Sequence, residues 1–340
     1  MNVTAVIVNY RTPELTLNCL QTLAAEREEV PQLQVCVVEG GSGDNSATLL
    51  EETIQSRGWT SWVTLRRLDR NGGFAYANNA GIEQVLAVSA PPDFIWLLNP
   101  DTLIRPGATR TLMHFLTTHT RCGIVGARLE DPDQTVQSSA FRFHSVLSEI
   151  ESALSLELAS HLLSRWRVAP DPPSQSCQVD WVCGASMMVR LDVFRQIGLL
   201  DAGYFMYFEE TDFCLTAAKA GWETWYLPQA RVVHLVGQSS GVTSPQKAQS
   251  RRPGYWFDSR HRYFRKNCGI VATLVADLAW TVIYPAREFL RLLQRKPATT
   301  PAHFWRDFLV HEFRHWTTWS RSAGSSQNAG AVGKKSCQSQ

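Results

Sequence analysis

A doubly wound α/β sheet is the fold class this sequence predicts, and three observations carry that expectation. A unit of strand, turn and helix recurs four times within about the first hundred residues. Phe94-Ile95-Trp96-Leu97-Leu98 is an unbroken apolar run too short for a helix, as a strand covered on both faces should be. The run stops at Asn99-Pro100-Asp101, because proline offers no ladder donor and biases its predecessor toward extended backbone. Asp101 is thereby set at the carboxyl end of a central strand, where open α/β sheets hold their ligands. Asn, Pro and Asp are also ordinary turn formers, so this stretch alone leaves a plain turn open.

The elements follow in order. Thr4 to Val8 is a β-branched strand ending at Asn9-Tyr10, and Thr12-Pro13-Glu14 starts a helix that runs to about Ala25. Leu33 to Val38 is the second strand, closed by Glu39-Gly40-Gly41-Ser42-Gly43. Its glycines admit close approach of a ligand or serve a flexible turn before a helix from about Ala47. Trp62 to Leu68 is the third strand, and Asn71-Gly72-Gly73 opens a helix whose backbone donors suit a phosphate. After the strand Phe94 to Leu98, a helix over Pro106 to Thr118 and a strand over Gly123 to Arg128 complete this part.

Beyond it, Ser145 to Trp166 reads as helical and Pro170 to Ser176 as loop, an insertion facing a second substrate. Val182 to Val189 reads as a strand with a close-packed glycine, followed by a short helix from Asp192. Phe205-Met206-Tyr207-Phe208 then runs into Glu209-Glu210-Thr211-Asp212. Three acids in a first helical turn favour the helix Thr211 to Ala220 through its dipole. Aromatic walls around a carboxylate also raise its proton affinity, as a general base requires. Short strands follow over Glu223 to Leu227 and Ala230 to Val233, His234 ends the second, and Gly237 to Gly241 suits a flap closing over a nucleotide.

The composition, 44% hydrophobic and 19% charged with a net charge of +2, is that of an ordinary globular chain and argues against a nucleic-acid partner. Eight scattered cysteines without a Cys-x-x-Cys pair point to reduced thiols in the cytosol rather than a zinc site. No leader peptide is apparent before the first strand, and the most apolar run, Ile270 to Tyr284, is too short to span a membrane and carries Asp277.

With Asn99 to Asp101, Glu209 to Asp212 and His234 in view, the chain resembles the inverting family 2 glycosyltransferases, in particular their rhamnosyltransferase-like branch. The resemblance covers roughly residues 3 to 266. It rests on Val6-Ile7-Val8-Asn9-Tyr10, Asn71-Gly72-Gly73-Phe74-Ala75, Asn78-Asn79-Ala80-Gly81, Leu98-Asn99-Pro100-Asp101, and Gly184-Ala185 leading to Phe208-Glu209-Glu210-Thr211-Asp212. It implies a GT-A-type doubly wound mixed sheet, a nucleotide-binding half joined to an acceptor half, with a C-terminal helical extension.

The donor nucleotide sugar, plausibly dTDP-rhamnose on the resemblance alone, would lie near Asn9, Tyr10, Glu39, Asn71, Gly72, Gly73, Asn78 and Asn99. Asp101 and His234 would hold Mg²⁺ or Mn²⁺ on the diphosphate. Glu210 would be the catalytic base, with Glu209 beside it and Asp212 as the other residue able to take that role. Three positions depart from the family pattern: Glu39 stands where Asp is frequent, Asn99 where the metal motif begins with Asp, and Glu209-Glu210 where Glu-Asp is usual. Two other readings compete, a nucleotidyltransferase that makes sugar nucleotides and a binding protein without activity.

The expected organisation is a catalytic domain over residues 1–242, a basic helical extension over 243–319 and a disordered tail over 320–340. In the extension, arginines alternate with Tyr255, Trp256, Tyr263 and Phe264, and Ile270 to Leu293 is apolar with Arg287, Arg291 and Arg295 toward its end. That pattern suits an amphipathic helix on an anionic membrane surface, or equally a helix packed on the catalytic domain or on a second copy in a homo-oligomer. The expected location is peripheral, on the cytoplasmic face of the cell membrane, with a lipid-linked or glycan acceptor.

Overall fold

The computed structural model describes residues 1–154, 163–235, 251–295 and 301–329. Its strands are β1 (Val3–Asn9), β2 (Leu33–Glu39), β3 (Val63–Arg67), β4 (Phe94–Leu98), β5 (Thr102–Ile104), β6 (Cys122–Glu130), β7 (Ala140–Phe141), β8 (Cys177–Val179), β9 (Trp181–Val182), β10 (Ser186–Arg190) and β11 (Glu223–His234). The main sheet runs β3-β2-β1-β4-β10-β6-β11-β5, with β8 beside β11, while β7 and β9 pair separately. β1 to β4 are parallel, β10 is antiparallel between β4 and β6, and β11 runs parallel to β6.

β4 is buried on both faces, as its composition requires. Phe94, Trp96 and Leu98 join the core on one side of the sheet, Ile95 and Leu97 the core on the other. The Trp96 indole is fully buried and its Nε1–H donates to Ser186 Oγ at 3.1 Å, so the largest side chain of β4 also leaves no orphan donor.

Helices α1 (Pro13–Glu26), α2 (Ser46–Ser56), α3 (Phe74–Leu86) and α4 (Ala108–Thr118) cover the first half. Gly81 lets α3 settle on the sheet, since a Cβ there would meet Val6 Cγ1 at 2.5 Å and Val38 Cγ2 at 2.8 Å. Then come α5 (Val146–Leu154), α6 (Leu191–Ile197), α7 (Glu209–Lys219), α8 (Gly254–Asn267), α9 (Gly269–Leu278), α10 (Tyr284–Leu293) and α11 (Phe304–Ala329).

Three expectations are revised, and a fourth is described only in part. The stretch Val182 to Val189 is two strands, because Cys183-Gly184-Ala185 leaves the ladder to face a cleft. The two short strands after Glu223 are one, β11, with an irregularity between Leu227 and Arg231 where Pro228 lacks a donor. Of the helix expected over Ser145 to Trp166, residues 155–162 lie outside the described residues, and the described parts are α5 and a 3₁₀ turn over Ser164–Trp166. α11 continues past Ser320 to Ala329, into the stretch expected to be a disordered tail. The glycine-rich flap over Gly237 to Gly241 lies outside the described residues.

α8 to α11 pack on one another and on α5, with the buried guanidinium of Arg260 at their centre. Arg260 is fully buried and lies 2.8 Å from Glu149 of α5, 2.8 Å from Asp277 of α9 and 3.4 Å from Glu312 of α11. Aromatic contacts among Phe257, Tyr284, Phe304 and Phe308 fill the space beside it. α9 and α10 are joined by a π turn over Ala279–Ile283 into one helix of 25 residues, long and apolar enough by length and composition to cross a membrane. The sequence alone reads this segment as too short.

Candidate active site

The carboxyl ends of β1 and β4 open into a cleft of about 280 Å³. Tyr10 follows β1 into it, Asn99 to Asp101 follow β4, Asn71 and Gly73 precede α3, Glu209 and Glu210 begin α7, and His234 ends β11. Sheet register brings the distant His234 to this place. β11 pairs antiparallel with β5 so that His234 lies opposite Thr102, and the Leu235 N–H donates to the Asp101 carbonyl at 2.8 Å. His234 Nε2 then stands 3.5 Å from Asp101 Oδ1. The imidazole is held from behind by Gln137, whose Oε1 lies 3.2 Å from Nδ1 while its Nε2–H donates to the His234 carbonyl at 2.8 Å. Asn99 is fixed through its backbone N–H to Ala185, and its Oδ1 is buried with no hydrogen-bond partner among the described residues.

The opposite wall carries the two glutamates. Tyr207 and Phe208, immediately before them, both adopt left-handed backbone, with φ of 71° and 68°. Each such non-glycine residue costs roughly 1–2 kcal/mol, so packing must hold the turn in place. Tyr207 stacks on Tyr255 of α8, and Phe208 contacts Trp256, Tyr263 and His144. The strained turn sends Glu209 and Glu210 into the cleft at the amino end of α7.

Glu209 is buried and Glu210 half-buried, and one carboxylate oxygen of each has no hydrogen-bond partner among the described residues. Burial raises the proton affinity of both, and the neighbouring Glu210 charge pushes Glu209 further. A Gly184 backbone hydrogen bond partly offsets the rise at Glu210. Two carboxylates so placed titrate as a pair that resists a second negative charge.

A family model described as "Glycosyltransferase like family 2" matches residues 1–266. The chain belongs to the family 2 glycosyltransferases. Among curated relatives, an N-acetylglucosaminyl-diphospho-decaprenol L-rhamnosyltransferase of Mycobacterium tuberculosis is 28% identical over 231 residues, 65% of this chain and 71% of that one. Rhamnosyltransferase WbbL of Escherichia coli is 26% identical over 48% of this chain and 60% of its own. The dTDP-rhamnosyl transferase RfbF of Shigella flexneri is 24% identical over 83% of this chain and 86% of its own.

Two solved structures share the fold at 13% identity. GalNAc-T7 with UDP, GalNAc and Mn²⁺ superposes with a TM-score of 0.56 over 92% of this chain, and Staphylococcus aureus TarS with 0.50 over 85%. This chain spans 58% and 44% of the lengths of those two. The glycosyltransferase therefore has the expected GT-A architecture, and its family makes it a hexosyltransferase rather than a nucleotidyltransferase.

Of the residues expected from sequence, the glycosyltransferase gathers Tyr10, Asn71, Gly73, Asn99, Asp101, Glu209, Glu210 and His234 around its cleft. The others do not line it. Asn9 is fully buried and accepts from Thr16 Oγ1 at 3.1 Å, tying β1 to α1. The Glu39 carboxylate accepts the N–H groups of Ser42 at 2.9 Å and Gly41 at 3.2 Å, so it folds the glycine turn, and Gly40 of that turn reaches the cleft instead. Gly72 packs against the Tyr76 ring, and Asn78 donates to the Phe74 carbonyl within α3.

Asp212, expected as the other residue able to act as base, does not line the cleft. Lys266 Nζ lies 2.7 Å from its Oδ2 and Asn267 Nδ2 is 2.6 Å from its Oδ1, so a cation and an amide of α8 hold this carboxylate away from the cleft. The sequence alone carries no signal for Gln137, which orients His234, or for Cys183 on the cleft wall. Phe205, Met206, Tyr207 and Gly184 stand in the sequence motifs, and only the fold sets them on the cleft wall.

Gly73 has a role that only the fold reveals. Its φ is +92°, and a Cβ would lie 2.2 Å from the Phe205 carbonyl oxygen. The adjacent Phe74 N–H donates to that same oxygen at 2.7 Å. Gly73→Ala must therefore push the donor wall from the acid-bearing turn. We expect a loss above 1 kcal/mol, read as a Tm at least about 2 °C lower in differential scanning calorimetry.

Proposed function

We propose that this protein is an inverting rhamnosyltransferase that moves L-rhamnose from dTDP-rhamnose to a hydroxyl of a lipid-linked or polysaccharide acceptor. The observation that carries the proposal is the arrangement of one cleft, with Asp101 and His234 on the β4 side and the desolvated glutamate pair at the start of α7. The choice of sugar and acceptor draws on the relatives, one named for transfer of L-rhamnose to N-acetylglucosaminyl-diphospho-decaprenol and one for dTDP-rhamnose.

Carboxylate and imidazole beside the free Asn99 amide oxygen are an oxygen and nitrogen donor set that suits Mg²⁺ or Mn²⁺. Such an ion would supply positive charge to the departing diphosphate. Asn99 contributes a neutral oxygen, so Asp101 carries the negative charge of this donor set. On the other wall burial favours the protonated form of both glutamates, Glu209 more than Glu210, so Glu210, the more exposed member and the one with the Gly184 backbone hydrogen bond, ionises first. Glu210 takes the acceptor hydroxyl's proton as that oxygen attacks the anomeric carbon in line with the leaving diphosphate. One displacement inverts the anomeric centre.

The enzyme works at the cytoplasmic face of the membrane. Among the described residues the cysteines are free thiols, as a reducing compartment keeps them. Val271, Leu274, Leu278, Val282, Phe289 and Leu293 are exposed along α9 and α10 at helical spacing. The opposite side is committed to the protein, since Asp277 pairs with Arg260 and Arg287 donates to the Ser152 carbonyl. A helix anchored through these charged side chains lies on a bilayer rather than across it, and the exposed Arg295, Arg306 and Arg314 match anionic headgroups. Leu278→Asp combined with Phe289→Asp should release the full-length protein from anionic vesicles in flotation, with its Tm within about 2 °C of wild type. Unchanged flotation of this variant would reject the membrane face.

The donor is tested by thermal shift. With Mn²⁺ present, dTDP-rhamnose should raise Tm more than UDP- or GDP-sugars at equal concentration, because only ligands of the folded state stabilise it. A larger shift from another nucleotide sugar would overturn the donor assignment.

A further inference from the structure

We propose that Asp258, His311 and His315 form a metal site of the zinc class that clamps α11 onto α8, apart from the catalytic cleft. His311-Glu312-Phe313-Arg314-His315 spaces two histidines four residues apart on α11, which puts both rings on one face of the helix. Asp258 of α8 meets them there. Its Oδ1 lies 2.9 Å from His315 Nε2 and 3.3 Å from His311 Nδ1, and the three ligand atoms fall within 4.8 Å of one another. Metal bonds of about 2.0–2.1 Å at tetrahedral angles set ligand atoms about 3.3 Å apart, close to the two separations from Asp258 Oδ1.

The rings are also held in orientation. Phe257 stacks on His311 with centroids 5.1 Å apart and an interplanar angle of 16°, and His261 stacks on His315 at 4.3 Å and 11°. Asp258 is 53% exposed at its side chain, which leaves an entry path and room for water as the fourth ligand. Two imidazoles with one carboxylate select Zn²⁺ over Mg²⁺ or Ca²⁺, which take oxygen-rich sites.

The same spacing serves zinc hydrolases in which the second residue is the general base. Here Glu312 is engaged: His261 Nδ1 lies 2.7 Å from its Oε2 and Arg260 3.4 Å from its Oε1. The clamp is therefore structural. The neighbouring group of His261, Asp277 and Glu312 is a weaker candidate, because the Arg260 guanidinium already supplies its cation.

The experiment uses full-length protein stripped with chelator and titrated with ZnCl₂. Wild type should bind one Zn²⁺ at this site, and Tm should rise by roughly 2–5 °C at a hundredfold excess over Kd. Co²⁺ in its place should give the visible absorption of a tetrahedral nitrogen and oxygen site. His315→Asn and, separately, the exposed Asp258→Asn should each lose the shift and the Co²⁺ spectrum while sugar transfer continues. Asp101→Ala should retain both, which separates this site from the cleft. Absence of a zinc-induced shift in wild type, or an undiminished shift in Asp258→Asn, would overturn the proposal.

Discussion

Glu210→Gln should lower kcat by about 10²- to 10⁴-fold, the range that a positioned general base contributes, while donor affinity stays within a few-fold of wild type. The amide keeps the shape and neutral volume of the site, and its cost falls on proton removal alone. Glu210 stands at the start of α7, aimed by the left-handed Tyr207 and Phe208, with one carboxylate oxygen free toward the cleft. Steady-state kinetics with both substrates varied separates this loss from a binding defect.

The pH profile carries the same assignment. A base acts only when ionised, so kcat/KM falls as pH drops through its pKa. Burial has raised that pKa, so the acid limb should lie above the ordinary carboxylate value of about 4.3. Glu209 has its proton affinity raised further than Glu210, so Glu210 ionises while Glu209 stays protonated, and Glu209→Gln should leave the acid limb close to its wild-type pH. An acid limb that moves strongly in Glu209→Gln and survives in Glu210→Gln would transfer the base role to Glu209.

Asp101→Ala should abolish metal-dependent donor binding and reduce turnover by at least about 10²-fold, since charge stabilisation at a leaving diphosphate is worth several kcal/mol. Asp101 is nearly fully buried beside His234 and carries the only carboxylate between Asn99 and Thr102. Asn99→Asp adds a second negative charge at the start of the same turn. It should tighten the response to Mn²⁺, measured as the metal concentration giving half-maximal transfer. Retention of full activity by Asp101→Ala would remove the donor half of the site.

The first half of the fold was legible because its signals are local. β4 needed only its own five apolar residues and the proline after them, and the parallel order followed from the repeated strand, turn and helix. The antiparallel insertion of β10 between β4 and β6 was not legible, because it depends on strand pairing between residues far apart in the chain, such as Trp96 with Met188. Local acidity marked Glu209 to Asp212 as a group, yet only tertiary contacts sort them. Lys266 and Asn267 claim Asp212 and leave Glu209 and Glu210 to the cleft.

Asn9 and Glu39 show the converse. Polar residues at strand ends read as ligand contacts, but the Asn9 amide oxygen is taken by Thr16 of α1 and the Glu39 carboxylate by Gly41 and Ser42 of the turn that follows it. Gln137 carries no local signal at all. Its place beside His234 is set by the chain that follows β6 and by the end of β11.

The central claim is that donor and acceptor functions occupy opposite walls of one cleft and can be separated. Isothermal titration of dTDP-rhamnose with Mn²⁺ into wild type, Glu210→Gln and Asp101→Ala tests it most directly. Equal donor affinity in wild type and Glu210→Gln, with binding lost in Asp101→Ala, is the expected result. Donor binding lost in Glu210→Gln and kept in Asp101→Ala would contradict it.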